Sequence, residues 1–335
     1  MSPNPLTAGL SLAESVATRT FDELSPIQPD RPVSSLERKY TNEHSRFIEL
    51  PGARVHYRDE GPRSGPTLIA LHGTFSSLHT WDGWVDRLSE EFRIVRLDMP
   101  GFGLTGPPDG RHTVERLTQS VGLFCDELGL EDVTVAGNSL GGGIAWRLAV
   151  KRPDLISGLI PVNAGGATLL SNLTNNYMAL GGQLIPRYAT PRMAVRMILN
   201  NAYGDTSKIT PGLVTRYHDL VLRTGNRRAA LDIAKNYREE HYPGEAGLSE
   251  VNAPILPSAY DPSPNVWDKY DISDVDVPTM FQWGTEDTWL PVSFGRELAA
   301  KIPDATFQTY EGVGHAPMEE APELTAPDIV DFVNT

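Results

Sequence analysis

From Thr67 onward, short apolar runs alternate with stretches whose apolar residues recur every three or four positions. The short runs are "TLIALHG", "FRIVRLD", "VTVAGNS", "SGLIPVNAG", "TMFQWG" and "ATFQTYEG". They are bounded by Gly or Pro, the pattern of strands buried on both faces. Two earlier runs, "RFIEL" and "ARVHYRD", are joined by the tight "LPGAR" connection and read as an antiparallel hairpin. Between the later runs lie helical patterns. "TVERLTQSVGLFCDELGL" starts at a Thr113 N-cap with Arg116 at N3, and "GIAWRLAVKRP" ends on basic residues and a proline. "VSFGRELAAKIP" and "APELTAPDIVDFV" follow later strands. Eight strands alternating with helices predict an α/β fold: a mostly parallel eight-stranded sheet with helices on both faces.

The alternation breaks after the sixth run. Residues 167–265 hold no convincing strand but several short helical patterns, among them "PRMAVRMILNNAYG", "PGLVTRYHDLVLRTG" and "RRAALDIAKNYREE", then a Pro-rich return. A structureless loop of that length is unusual, so a helical cap inserted after strand six, over the carboxyl edge of the sheet, is expected. Residues 1–45 are rich in Pro, Ser and charge and read as an N-terminal arm, with a short helix around 11–24. The expected organisation is thus an arm (1–45), a first core part (46–166), a cap (167–265) and a second core part (266–335).

Composition narrows the function classes. The 335-residue chain carries a net charge of −14, which argues against a nucleic-acid partner, because phosphate binding needs a basic footprint. No apolar run reaches the ~18–20 residues of a membrane helix, so no stable membrane insertion is expected. The N-terminus lacks a basic start followed by an apolar block, unlike a secretory signal. The single cysteine, Cys125, excludes an internal disulfide and multi-thiolate metal ligation. Its helical, apolar setting reads as a core thiol, and this usage fits a cytoplasmic protein. No metal and no cofactor are expected. The charge is uneven: Arg187, Arg192, Arg196, Arg216, Arg223, Arg227 and Arg228 cluster within 187–238, while the chain beyond about 241 is acidic. That cluster reads first as a solvated helix face and second as a mildly basic rim. The arm could pack on its own core or reach a neighbouring subunit, the latter giving a homodimer.

One stretch carries chemistry. In "VTVAGNSLGGGIAWRLAV" a strand runs into Gly137-Asn138-Ser139-Leu140-Gly141, a G-x-S-x-G turn, and a helix starts at once. Small residues two before and two after the serine let neighbouring backbones approach while the turn lifts the hydroxyl above the sheet. A serine hydroxyl needs a base. Of eight histidines, only His315 lies in a short loop after the last strand, in "EGVGHAPMEEAPE". His72, in "LHG", reads as structural support for its loop, and His56 lies within a strand. An orienting carboxylate is offered by Glu286 and Asp287 in "QWGTEDTWLP". Asp287 is preferred, its shorter side chain suiting an exposed loop tip. Asp98 in "LDMPGFGLTG" reads as a tie for its own Gly-rich turn, and Asn163 cannot serve as the acid. The Leu140 N–H, at a helix start, and the Thr74 N–H in "LHGTFSS", with Phe75 second, are the expected oxyanion donors.

Together, "LHGTFSS", "DMPGFGLTG", "GNSLGG", "WGTEDTWLP" and "GVGHAP", in this order, resemble the α/β-hydrolase fold superfamily over about residues 46–166 and 266–335, and the chain order Ser, Asp, His agrees. Haloalkane dehalogenases and epoxide hydrolases of this fold carry an aspartate where Ser139 stands; hormone-sensitive-lipase-like esterases carry HGGG where this chain has "HGTF". Carbon–carbon hydrolases of ring-cleavage products are similar at "GNSLGGG" but usually have an aromatic directly after the catalytic His, where Ala316 stands here. What remains resembles cap-bearing carboxylesterases and small lipases. The resemblance implies a cofactor-free serine carboxylesterase acting on a small ester of short to medium acyl chain. A carbon–carbon hydrolase using a cap arginine (Arg187, Arg192 or Arg196) for a substrate carboxylate, a perhydrolase side activity and a non-catalytic binding protein are the alternatives.

Overall fold

The computed structural model describes residues 28–165, 190–241 and 270–334. Eight strands form one sheet: β1 (Ser45–Leu50), β2 (Ala53–Glu60), β3 (Thr67–Leu71), β4 (Arg93–Leu97), β5 (Val133–Asn138), β6 (Ile156–Val162), β7 (Met280–Gly284) and β8 (Thr306–Tyr310), in the order β1-β2-β4-β3-β5-β6-β7-β8. β2 pairs antiparallel with both β1 and β4, and every other pairing is parallel. The β1–β2 turn is closed at Gly52, whose φ of 85° is open to glycine at little cost.

The period of two sorts side chains onto two cores. From β3, Leu68 and Ala70 enter the layer built on Trp81, Trp84, Ile94, Val162 and Ile329; Ile69 and Leu71 enter the opposite layer with Val95, Phe124, Ile144 and Trp283. β3, β4, β5 and β7 are buried almost throughout, as double-sided cover requires. β8 departs from the expected pattern: as an edge strand it exposes Thr306, Gln308 and Thr309, which is why "TFQTY" carries polar residues.

Helices cover both faces. α1 (Val33–Tyr40), α2 (Asp82–Leu88), α3 (Val114–Glu127) and α4 (Leu140–Lys151) precede β6. α3 is capped as the sequence indicated, with Thr113 Oγ1 accepting the Arg116 N–H at 3.2 Å. Residues Leu140–Ala149 of α4 are all buried, because the helix is covered on every side. Between β6 and β7 come α5 (Arg192–Ala202), α6 (Pro211–Val221) and α7 (Asn226–His241). They are the described part of the expected 167–265 cap; residues 166–189 and 242–269, like the helix expected at 11–24, lie outside the described residues. α8 (Val292–Ala299), α9 (Pro317–Glu320) and α10 (Pro322–Val333) complete the chain.

Residues 28–45 are the described part of the expected arm. α1 buries Leu36 against Leu104 and Leu220, and the Arg31 N–H donates to Leu222 O at 2.7 Å, docking the segment on the helical insertion.

Candidate active site

In a parallel sheet all strands present their carboxyl ends at one edge, so the loops after β3, β5, β6, β7 and β8 converge. They carry Gly73–Ser76, Ser139, Asn163, Asp287 and His315 respectively.

Ser139 sits between β5 and α4 with φ 53° and ψ −116°, a region costly for a residue with a Cβ, by about 1–3 kcal/mol. The turn is tight enough to demand its glycines. A Cβ on Gly137 would lie 2.3 Å from Gly141 O, and one on Gly141 would lie 2.2 Å from Leu71 O. Gly73 packs against the same turn: a Cβ there would stand 3.2 Å from Ser139 Cβ. The Ser76 N–H closes the Gly73–Ser76 turn on Gly73 O at 3.3 Å, with Phe75 at φ 59°. Leu140, first in α4, has no helical acceptor for its N–H. Among the described residues, neither it nor Thr74 nor Phe75 donates its N–H to a backbone carbonyl. These are the three groups expected from the sequence as oxyanion donors.

His315 Nδ1 lies 2.7 Å from Asp287 Oδ2, and both side chains are buried. Nε2 of His315 is buried with no hydrogen-bond partner among the described residues. Its ring rests on Trp289, with centroids 4.7 Å apart. Of the two neighbouring acids Asp287 makes the contact, while Glu286 is exposed. The reason expected for that choice does not hold: Asp287 is not at an exposed tip but buried, and its carboxylate is saturated with donors. Oδ1 accepts the N–H groups of Trp289 at 2.8 Å and Leu290 at 3.0 Å, while Oδ2 also accepts Asn163 Nδ2 at 2.6 Å.

Asn163 is not the acid, but it holds the acid. Its Oδ1 accepts the Gly284 N–H at 3.1 Å, so one amide ties the end of β7 to the Asp287 carboxylate. Asn163 takes φ 39°, a conformation asparagine tolerates better than most residues. Asn138 anchors the histidine loop in the same way, its Nδ2 donating to His315 O at 2.9 Å and to Val162 O at 3.1 Å. On the other side of the histidine, the buried Glu320 accepts the N–H groups of Gly314, Asp205 and Gly204 at 2.8, 2.7 and 3.2 Å. Glu319 accepts Tyr217 Oη and Arg216 Nη2, each at 2.7 Å. The two acids of α9 thus pin the helical insertion to the His315 loop. Sequence reasoning missed these ties; "GHAPMEE" shows two acids, but their partners lie about a hundred residues away.

Elsewhere, a serine, a histidine and an aspartate are joined in a hydrogen-bonded chain. His56 Nε2 lies 3.0 Å from Ser45 Oγ, and His56 Nδ1 lies 2.8 Å from Asp98 Oδ2. Asp98 also accepts the Leu78 and Leu104 N–H groups, each at 2.8 Å. Burial works to raise its pKa, but the His56 contact holds it well below the ordinary carboxylate range. Ser45 lacks the setting of a nucleophile. It opens an edge strand rather than a strand–helix elbow, and its Oγ already accepts the Asn42 N–H at 3.1 Å. The chain is a strut that ties the β1–β2 hairpin to the Gly-rich turn after β4. His72 acts similarly: Nδ1 donates to Gly73 O at 2.7 Å, and Nε2 accepts the Met99 N–H at 3.0 Å.

Of the three arginines considered for a substrate carboxylate, Arg187 lies outside the described residues. Arg192 is engaged with Pro211 O and Thr215 Oγ1, and Arg196 is exposed. No cluster of metal-ligating side chains occurs among the described residues, and no helix there is long and apolar enough to cross a membrane.

The model of the alpha/beta hydrolase fold family matches residues 66–322. The chain belongs to that family. An uncharacterised protein of Mycobacterium bovis is 26% identical over 309 residues, covering 87% of this chain and 81% of the relative. A 2-hydroxy-6-oxononadienedioate/2-hydroxy-6-oxononatrienedioate hydrolase of Comamonas testosteroni is 27% identical over 276 residues, covering 79% and 86%. Among solved structures, a serine hydrolase involved in carbazole degradation superposes with a TM-score of 0.68 at 23% identity, covering 87% of this chain and 98% of its own. This likeness is one of fold.

Proposed function

We propose that the protein is a serine carboxylic-ester hydrolase that works through Ser139, His315 and Asp287. The observation that carries this reading is the half-satisfied histidine. Nδ1 is bound to a buried carboxylate, while Nε2 is buried and unpartnered at the sheet edge where the strained Ser139 turn emerges. A base so oriented is held in the tautomer that can take a proton at Nε2.

In this mechanism Ser139 Oγ attacks the ester carbonyl carbon as its proton passes to His315 Nε2. Asp287 stabilises the resulting imidazolium. The Leu140 and Thr74 N–H groups receive the oxyanion, each worth roughly 2.7–4 kcal/mol of transition-state stabilisation. Collapse expels the alkoxide, which takes the proton from His315 and leaves as the alcohol. Water, deprotonated by His315, then attacks the acyl-enzyme; collapse of that intermediate returns the proton to Ser139 Oγ and frees the acid. Opening an epoxide with Ser139 would leave an ether, which water cannot cleave by this route, so acyl chemistry is the better match to a serine.

Hydrolysis of p-nitrophenyl esters from acetyl to palmitoyl, with Ser139→Ala as control, tests the reading. Turnover peaking at short chains and lost in the variant supports it; negligible turnover across the series overturns it. The Comamonas relative favours a second reading, carbon–carbon bond hydrolysis of a ring-fission dienoate by the same Ser139. That reading calls for a cation at the substrate carboxylate, and neither Arg192 nor Arg196 is placed in the site by a described contact. Cleavage of such a dienoate faster than of any ester would replace the first reading with the second.

A further inference from the structure

An open cavity of about 500 Å³ lies between the end of α1, β2 and the start of α6, and shares no residue with the Ser139 site. Its walls include Lys39, Asn42, Arg58, His79, Gly212 and Arg216. The chain as a whole is strongly acidic, yet three cations and no carboxylate line this cavity. Arg96 is bound by Glu60 and Asp82. Arg216 is bound by Glu319 and Asp82. Lys39 and Arg31 share Asp219. Arg58 is left over.

Arg58 is 6% exposed. Its Nη2 donates to Tyr40 O at 2.8 Å and meets His79 Nε2 at 3.2 Å, and its Nε donates to Ser45 Oγ at 3.3 Å. All three are neutral acceptors. His79 accepts because burial lowers its pKa to about 3, leaving the ring uncharged. Nη1 makes no hydrogen bond among the described residues; the nearest carboxylate oxygen, Asp82 Oδ1, stands at 3.9 Å and already serves Arg96. A nearly buried guanidinium without a bound carboxylate is an unfavourable arrangement. Burial, then repulsion from Arg96, outweighs the attraction of Asp82, Glu60 and Asp98 and pulls the Arg58 pKa down. On the opposite wall, Arg216 Nε is buried and also unpartnered.

We propose that this cavity binds a small oxyanion, a carboxylate or phosphate group, with Arg58 as its principal ligand and Lys39 and Arg216 on the rim. With Nε and Nη2 engaged, the two free Nη1 hydrogens of Arg58 are what it offers an anion, and partial burial removes the competing water that makes surface pairs weak. Binding is independent of the proposed ester hydrolysis.

The test uses the full chain in isothermal titration calorimetry with inorganic phosphate and, separately, sodium malonate, at constant ionic strength made up with sodium chloride. Saturable binding of one anion per chain is expected for at least one probe, and the stronger probe identifies the ligand group. Arg58→Met is expected to weaken that binding at least tenfold. Because Arg58→Met could disturb folding, Gly212→Asp provides the second variant. A Cβ at Gly212 meets only Thr210 Oγ1, at 3.7 Å, so a carboxylate there enters the cavity and competes with the anion. Gly212→Asp is expected to abolish binding, Gly212→Ala to keep it, and both to hydrolyse p-nitrophenyl acetate as the parent does. Heats no larger than the chloride control for both probes, or binding that survives Gly212→Asp, would overturn the proposal.

Discussion

Asn163→Gly removes the two hydrogen bonds of one side-chain amide. The native residue sits at φ 39°, where alanine would add backbone strain but glycine adds none. The substitution deletes the 2.6 Å hydrogen bond to Asp287 Oδ2 and the 3.1 Å acceptor for the Gly284 N–H. A hydrogen bond to a charged group is worth about 1.5–3 kcal/mol, and an orphaned buried N–H costs about 1–3 kcal/mol. Most of this appears as lost stability. Only the part that differs between ground and transition state appears in the rate. In the proposed mechanism that part is not zero, because Asp287 must stay aligned when His315 becomes cationic, but it is bounded, because Oδ1 keeps the Trp289 and Leu290 N–H groups. A fall in kcat/KM of roughly 10–100-fold is expected, about 1.4–2.8 kcal/mol, against roughly 10⁴-fold in kcat for Asp287→Asn. The assay is steady-state hydrolysis of a short p-nitrophenyl ester, with thermal unfolding recorded on the same preparations. A lowered Tm with kcat/KM within twofold of the parent would refute a positioning role and leave Asn163 a purely structural tie.

Gly141→Ala drives a methyl to 2.2 Å from Leu71 O; it is expected to abolish esterase activity and lower Tm, and native activity in this variant would contradict the tight elbow. Cys125 is fully buried and burial pushes its thiol up to about 12, so a disulfide reagent is expected to react only on unfolding, and rapid native labelling would contradict that burial. His79 is held neutral, its pKa near 3 lying below the ordinary value of 6.5. The native state therefore binds fewer protons than the unfolded one between these values. The contribution to stability is full above about pH 6.5 and is lost as pH falls toward 3, by roughly 1 kcal/mol per pH unit for this group. His79→Gln is expected to flatten the pH dependence of urea stability over that window, and an unchanged slope would count against the assignment.

The sheet was legible because a period of two is local: Leu68 to Leu71 declare both cores within four residues. So was the Ser139 turn, whose glycines answer to backbone contacts close in sequence or across adjacent strands. α1 was missed because "VSSLERKY" offers one buried side chain, Leu36, and gains its place only by docking on α6. The edge position of β8 was equally hidden, since it depends on which strand has no further neighbour. In the site, residue types pointed to Ser139, Asp287 and His315, but their supports did not show. Asn163 reaches Asp287 across 124 positions and Asn138 reaches His315 across 177, and such pairings arise only when the fold closes. Asp287 was preferred over Glu286 for its length at an exposed tip, whereas burial and four donors are what distinguish it.

A hydrogen-bonded Ser45–His56–Asp98 chain in the same molecule as the proposed Ser139 nucleophile makes the identity of the nucleophile directly testable. The full chain is incubated with a fluorophosphonate, which phosphonylates an activated serine with loss of fluoride, and the modified peptide is located by mass spectrometry. The mechanism predicts a single adduct on Ser139, absent from Ser139→Ala and strongly slowed in His315→Gln. An adduct on Ser45, or no adduct under conditions where a known serine esterase is fully labelled, would contradict it.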